Sequence, residues 1–129
     1  MNGRYLLDTN IIIALFARDA NVQKQLAQAS EVFIPSIVLG ELYYGAHKSV
    51  RVESNMLRID ELASTSAILA CDAESAQHYG IIKNNLRIKG RPIPGNDIWI
   101  AAQAIQYDFI LVSRDTHFKD IESLSILIW

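Results

Sequence analysis

Apolar and polar positions follow one another in blocks that are typical of alternating strands and helices. Short apolar runs predict five buried strands, and apolar residues recur at helical spacing between them. The predicted strands are 5–7, 31–34, 67–70, 109–112 and 124–128, and the predicted helices include 11–18, 22–30, 51–63 and 72–89. Strands that alternate with helices predict an α/β fold with a central, mostly parallel sheet and helices on both faces. The 129 residues fit one domain, spanning residues 1–129.

Polar residues mark the starts of several of these helices. Ser36, Asp72 and Asn96 each precede a helical pattern, and side chains of these types favour N-cap positions. Asp8 follows the first strand directly and, taken alone, is also best explained as a cap or turn residue. For Asp72 we prefer the cap interpretation to a role in a site.

Four acids recur at strand ends or on core-facing stripes of helices, and this recurrence favours a shared site over four separate caps. Asp8 and Asp115 each come just after a predicted strand, and Asp97 lies in a first helical turn, in line with the core-facing stripe. Glu41 interrupts the apolar stripe of the helix that begins near residue 36, where an unpaired carboxylate would be costly. Because the carboxyl ends of parallel strands share one sheet edge, we expect the four acids to converge there.

Four carboxylates in one pocket repel one another unless a cation lies between them. Oxygen ligands without a cysteine or histidine cluster favour Mg²⁺ or Mn²⁺, which support hydrolysis of phosphodiester bonds. Crowding also predicts a raised pKa for at least one of the four acids in the metal-free protein. The single cysteine, Cys71, is predicted to be a small buried residue, and His117 is predicted to be structural or to lie at the rim. The glycine-rich phosphate-binding motifs of nucleotide-binding proteins are not found in the sequence.

The charge distribution is compatible with a phosphate-backbone ligand. The chain has 12 Lys and Arg against 14 Asp and Glu, so 10 acids remain if four of the 14 lie in a metal pocket. A basic run precedes residue 92. It is either a solvated helix end or a surface that contacts RNA phosphate or an acidic partner. Neither a membrane-spanning run nor a signal peptide is found, which predicts a cytoplasmic protein. The basic run consists of Lys83, Arg87, Lys89 and Arg91.

Four segments together resemble the acidic motifs of PIN domains, and among these the VapC-type toxins of toxin–antitoxin pairs. The segments are 6–10 (LLDTN), 36–42 (SIVLGEL), 95–102 (GNDIWIAA) and 113–118 (SRDTHF). They follow one another in the order of the family's motifs, and the resemblance covers essentially the whole chain. The resemblance implies a PIN-like three-layer α/β/α sandwich and an Mg²⁺- or Mn²⁺-dependent endoribonuclease. It further implies an RNA substrate, a homodimer and a small antitoxin that masks the site with a basic segment. The metal ligands that it implies are Asp8, Glu41, Asp97 and Asp115, with Thr9, Asn10, Asn96 and Ser113 in supporting positions.

Two other functions compete with the nuclease. The acids could be helix caps in a non-catalytic binding module that docks through the basic run. Alternatively, Asp8 could be the nucleophile or phosphoacceptor of a phosphatase-like or receiver-like domain. Asn10 stands where such a phosphatase needs a second aspartate, and Arg114 is a poor substitute for the lysine of a receiver.

Overall fold

A computed structural model describes residues 3–129 of the chain. Five strands form one sheet in which every neighbouring pair is parallel, in the order β3-β2-β1-β4-β5. The strands are β1 (Arg4–Leu7), β2 (Glu31–Pro35), β3 (Ala67–Leu69), β4 (Ile110–Val112) and β5 (Ile126–Leu127). The first strand is therefore central, and the predicted parallel α/β architecture is confirmed.

Within residues 3–129, six α-helices and one 3₁₀ helix connect the strands. They are α1 (Thr9–Phe16), α2 (Ala20–Gln28), α3 (Ser36–His47), α4 (Val52–Thr65), α5 (Ala73–Lys89), α6 (Gly95–Tyr107) and the 3₁₀ helix η1 (Thr116–Asp120). The helices flank the sheet, as in a three-layer sandwich. Within residues 3–129, no helix combines the length and apolar character needed to cross a bilayer.

The core lies between the central strands and the helices. In the sheet, Leu6 of β1 is paired with Phe33 on one side and Leu111 on the other. Leu6 and Leu111 are fully buried, as is Ala101 in α6. Strands covered on both faces carry continuous apolar runs, which is why β1 and β4 lack polar alternation.

The structure corrects several predicted helix boundaries. Ser36 and Asn96 were predicted to be N-caps, but they lie within the first turns of α3 and α6, and Pro35 and Pro94 occupy the N-cap positions. Both prolines have φ near −60° with extended ψ (−63° and 140°, −56° and 144°), so the ring fixes the entry into the helix without a side-chain cap. Asp72 is confirmed as the N-cap of α5.

Four further details differ from the predictions. The helices α1 and α2 begin two residues earlier than predicted, at Thr9 and Ala20, since Asp8 and Asp19 cap them. Cys71 is partly exposed because it lies in the loop before α5, not in the sheet. The closing strand is only Ile126–Leu127, and η1 was not predicted.

Candidate active site

Asp8 lies at the carboxyl end of the central strand and is held from two sides. Its Oδ1 accepts a hydrogen bond of 2.8 Å from the Thr9 amide, and its Oδ2 accepts one of 2.7 Å from the Ser113 hydroxyl. Its own amide donates to the Val112 carbonyl at 3.0 Å. With 4% of its surface exposed, this aspartate both caps α1 and presents a fixed carboxylate at the sheet edge.

Ser113 connects the ends of β1 and β4. Besides donating to Asp8, its Oγ accepts a hydrogen bond from the Asp115 amide at 3.0 Å and a longer one from Asn10 Nδ2 at 3.4 Å. The Asn10 Oδ1 accepts from the Arg114 amide at 3.1 Å. Ser113 is fully buried, so these bonds fix the two strand ends relative to one another.

Glu41 reaches the same place from α3. Its Oε1 accepts a 3.0 Å hydrogen bond from the Thr9 hydroxyl, which lies next to Asp8 in the chain. The carboxylate is only partly buried. It therefore leaves the apolar stripe toward the sheet edge, as predicted, and Thr9 sets its orientation.

Asp97, Asp115 and His117 form the outer part of the cluster. The His117 Nδ1 lies 3.0 Å from Asp97 Oδ2 and 3.2 Å from Asp115 Oδ2. One ligand atom from each of the three residues lies within 4.8 Å of the others, a spacing that would hold a metal ion. His117 is at the rim, as predicted, with its side chain 48% exposed, but it contacts both acids, which the sequence did not indicate.

The electrostatics of the cluster reflect burial and repulsion. Burial raises the pKa of Asp8, and the carboxylates of Asp97 and Asp115 add to that rise against the hydrogen bonds from Ser113 and Thr9. Burial also raises the pKa of Glu41, with smaller contributions from Asp8 and Asp97. The predicted rise in pKa is found for Asp8 and Glu41, but burial contributes more to it than repulsion between the carboxylates.

Of the predicted supporting residues, Thr9, Asn10 and Ser113 lie in this network and Asn96 does not. Asn96 is exposed, and its side chain makes no hydrogen bond within the described residues 3–129. The remaining donor set is rich in carboxylate oxygen, and the pKa values of Asp8 and Glu41 are raised, a chemistry that fits a hard divalent cation. A bound cation would also lower those pKa values by charge attraction.

Comparison with known proteins decides the family. The profile of the PIN domain matches residues 5–124. The chain belongs to the PIN domain family. Ribonuclease VapC2 of Haemophilus influenzae is 40% identical over 114 residues, which cover 87% of this chain and 86% of that protein. The tRNA(fMet)-specific endonuclease VapC of Shigella flexneri is 33% identical over 129 residues, covering 98% of each chain.

The solved structures agree. The DNA-bound VapBC structure from Salmonella typhimurium matches this PIN domain with a TM-score of 0.91 at 30% identity, covering 100% of this chain and 99% of that one. The VapBC2 structure from Rickettsia felis, bound to promoter DNA, gives 0.88 at 33% identity over 97% and 98% of the two chains. The resemblance inferred from the four motifs is confirmed, and it favours the nuclease over the two alternative functions.

The contacts of Arg114 were not predicted from the sequence. Its Nη2 lies 2.9 Å from Asp19 Oδ2 at the start of α2, and its Nε donates to the Trp129 carbonyl at 2.8 Å. The loop that carries Asp115 is thus tied to the first helices and to the last residue. Asp19 and Arg114 are 95 positions apart, and no local pattern could have paired them.

Asp8→Asn should make the metal-free PIN domain more stable at neutral pH. The folded-state pKa of Asp8 is raised, so its stabilising contribution is full at low pH and is lost as the pH rises through that pKa. Asparagine carries no charge to desolvate and can still cap α1. Urea denaturation in EDTA across a pH series should show the gain at neutral pH shrinking as the pH falls.

Asp72→Asn is the matched control, because Asp72 is also an N-cap after a strand but its pKa is lowered. Hydrogen bonds from the Ser75 amide and then from the Gln106 side chain lower the pKa of Asp72. The ionised Asp72 therefore stabilises the fold at pH values above its unfolded-state pKa. Its replacement should cost stability at neutral pH, and the cost should vanish in acid. If Asp8→Asn and Asp72→Asn change the free energy of unfolding at neutral pH in the same direction, Asp8 is not a buried carboxylate that its neighbours repel.

Proposed function

We propose that this single-domain protein is a metal-dependent endoribonuclease and the toxin of a toxin–antitoxin pair. The observation that carries the proposal is the convergence of four acids from different segments on one sheet edge. Thr9 and Ser113 orient two of them. Relatives named as ribonuclease VapC2 and as a tRNA(fMet)-specific endonuclease support RNA as the substrate.

We assign metal binding to Asp8, Glu41, Asp97 and Asp115, with Mg²⁺ or Mn²⁺ as the ion. Such an ion would supply positive charge for the scissile phosphate and would make water a better nucleophile. The chain itself holds the carboxylates in place through the hydroxyls of Thr9 and Ser113. Partners of this kind commonly affect metal affinity or activity by about ten- to a hundredfold.

The proposed antitoxin has a place to bind beside the acids. A groove of about 330 Å³ runs between α1, α3 and α4, and Glu41 and Thr9 form one end of it. Its walls are largely apolar, with Phe16 and Ile59 among them, and Ile13 at its edge is 56% exposed. An apolar partner segment in this groove would place a following basic side chain next to the carboxylates. The VapBC structures from Salmonella typhimurium and Rickettsia felis support a protein partner.

A homodimer and a cytoplasmic location complete the proposal. Sedimentation of the purified protein tests the first, and fractionation of expressing cells tests the second.

The test of the function is cleavage of total RNA by the purified protein with Mg²⁺, with Mn²⁺ or with EDTA. We expect discrete fragments that require the metal, and mapping of their ends identifies the target. Single-stranded DNA of matched length is the control for the sugar. Expression of the chain should arrest bacterial growth if the protein is the toxin of a toxin–antitoxin pair, and co-expression of its antitoxin should relieve the arrest. Metal binding without cleavage of any RNA would contradict the proposal.

A further inference from the structure

A second cavity lies at the start of α6. It has a volume of about 510 Å³ and is formed by α5, the loop after it and the start of α6. This is within the range of roughly 300–1,000 Å³ that is typical of small-molecule sites. Residues that line it include Gly80, Lys83, Leu86, Arg87, Ile93 and Ile98. Ile98 directly follows the site residue Asp97, so the cavity and the acids share one helix start.

Both apolar and cationic side chains line this cavity. Leu86 and Ile98 are buried beneath it, and Lys83 and Arg87 line it from α5. Within residues 3–129, neither of these two cations has a carboxylate partner: Lys83 contacts the Tyr79 hydroxyl at 3.5 Å, and Arg87 contacts the Asn84 amide oxygen at 2.9 Å. The ion pairs of the described chain involve other cations, such as Lys89 with Glu122 at 3.2 Å.

An aromatic pair lies beside the cavity. The rings of Tyr79 and Trp99 stack with their centroids 4.2 Å apart, and Lys83 lies over the Tyr79 ring at 5.6 Å. Trp99 is two residues after Asp97 in α6. An apolar slot, stacked rings and unpaired cations are the elements with which proteins hold single-stranded RNA.

We propose that this cavity is a substrate subsite that takes one unstacked base of a single-stranded RNA segment, with Lys83 and Arg87 on the adjoining phosphates. The inference rests on the proposed nuclease function and deepens it, since it limits the substrate to unpaired RNA near the cut. The charge complementarity favours a polyanion as the occupant. Bases in a duplex are stacked and paired, and they cannot enter the cavity.

The first test measures binding of a fluorescein-labelled, single-stranded 12-nucleotide RNA by anisotropy in EDTA, where cleavage is blocked. Lys83→Gln and Arg87→Gln should each weaken binding by about three- to tenfold at low salt. Each should also reduce the slope of log affinity against log salt by about 0.7. The double variant Lys24→Gln, Arg51→Gln removes two exposed cations elsewhere and should have a much smaller effect.

The second test fills the cavity. Gly80 is exposed in α5, and a side chain added there meets nothing within 4 Å, so Gly80→Leu should fold well while projecting into the cavity. It should weaken binding of the single-stranded RNA at least about tenfold with no change in the salt slope. An abasic strand of the same length and an RNA duplex should bind equally to the parent and to this variant. Ala73→Leu, which adds the same side chain at an exposed position of α5 outside the cavity, is the control.

The outcomes separate the two proposals. RNA cleavage by the parent together with unchanged RNA binding by Gly80→Leu overturns the subsite and leaves the nuclease intact. Failure of the parent both to cleave and to bind RNA overturns both. If Gly80→Leu instead shifts the sedimentation of the protein without affecting RNA binding, the cavity is a contact with a second copy and the subsite is wrong. The subsite is also wrong if Lys83→Gln and Arg87→Gln weaken RNA binding no more than the Lys24→Gln, Arg51→Gln control does.

Discussion

Asp97→Asn should abolish metal-dependent RNA cleavage by this PIN domain, with kcat/KM falling about a thousandfold or more. Asp97 connects the two parts of the cluster: Asp8 and Glu41 on one side, and Asp115 and His117 on the other. Its side chain is 14% exposed, lies 3.0 Å from His117 and contributes to the raised pKa values of Asp8 and Glu41. Asparagine has the same shape but no charge, so it leaves the helix start intact and removes a charged ligand for a divalent cation.

Asp108→Asn provides the control for this loss of charge. Asp108 is the C-cap of the same helix, α6, and its φ of 56° lies in the left-handed region that asparagine tolerates well. The variant therefore has the same net charge as Asp97→Asn, with the change at the opposite end of the helix. Titration calorimetry with Mn²⁺ should show binding to the control and to the parent but not to Asp97→Asn. Cleavage by Asp97→Asn within about threefold of the parent would show that Asp97 does not hold the catalytic ion.

The fold and the acidic cluster could be predicted because both depend on short-range patterns and one general rule. Continuous apolar runs identify strands buried on both faces, and the parallel arrangement brings their carboxyl ends to one edge. Asp8 and Asp115 follow from this rule. Glu41 and Asp97 follow from helical periodicity, which places them in line with core-facing residues.

The details that were missed depend on contacts between distant segments or on competing local effects. Serine and asparagine have strong N-cap preferences, yet the prolines before Ser36 and Asn96 already fix the backbone that enters each helix. The ion pair of Arg114 with Asp19 and the contact of His117 with Asp97 join residues far apart in sequence. His117 was predicted only to be structural or to lie at the rim, and its contacts in space are with two carboxylates.

Phe118→Ala should destabilise the protein by about 3–5 kcal/mol, a large part of the roughly 5–15 kcal/mol that typically holds a domain folded. Phe118 is the largest of the fully buried side chains and lies in η1, directly after His117 and three residues after Asp115. Its buried ring anchors this short 3₁₀ helix to the core. Truncation to alanine would leave a cavity at the point where this segment is attached to the core.

Phe118→Ala should also affect the acidic site, because η1 positions Asp115. The Asp115 side chain caps η1 by accepting a 2.9 Å hydrogen bond from the His117 amide, so release of η1 also releases the carboxylate. Urea denaturation should therefore show the loss of stability, and the folded fraction should bind Mn²⁺ more weakly. Phe118→Leu, which keeps most of the apolar volume, should cost only about 1–2 kcal/mol and keep its metal affinity. Equal Mn²⁺ affinity in the alanine variant would mean that Asp115 is held by Ser113 alone, through the 3.0 Å bond to its amide, and that η1 serves only the core.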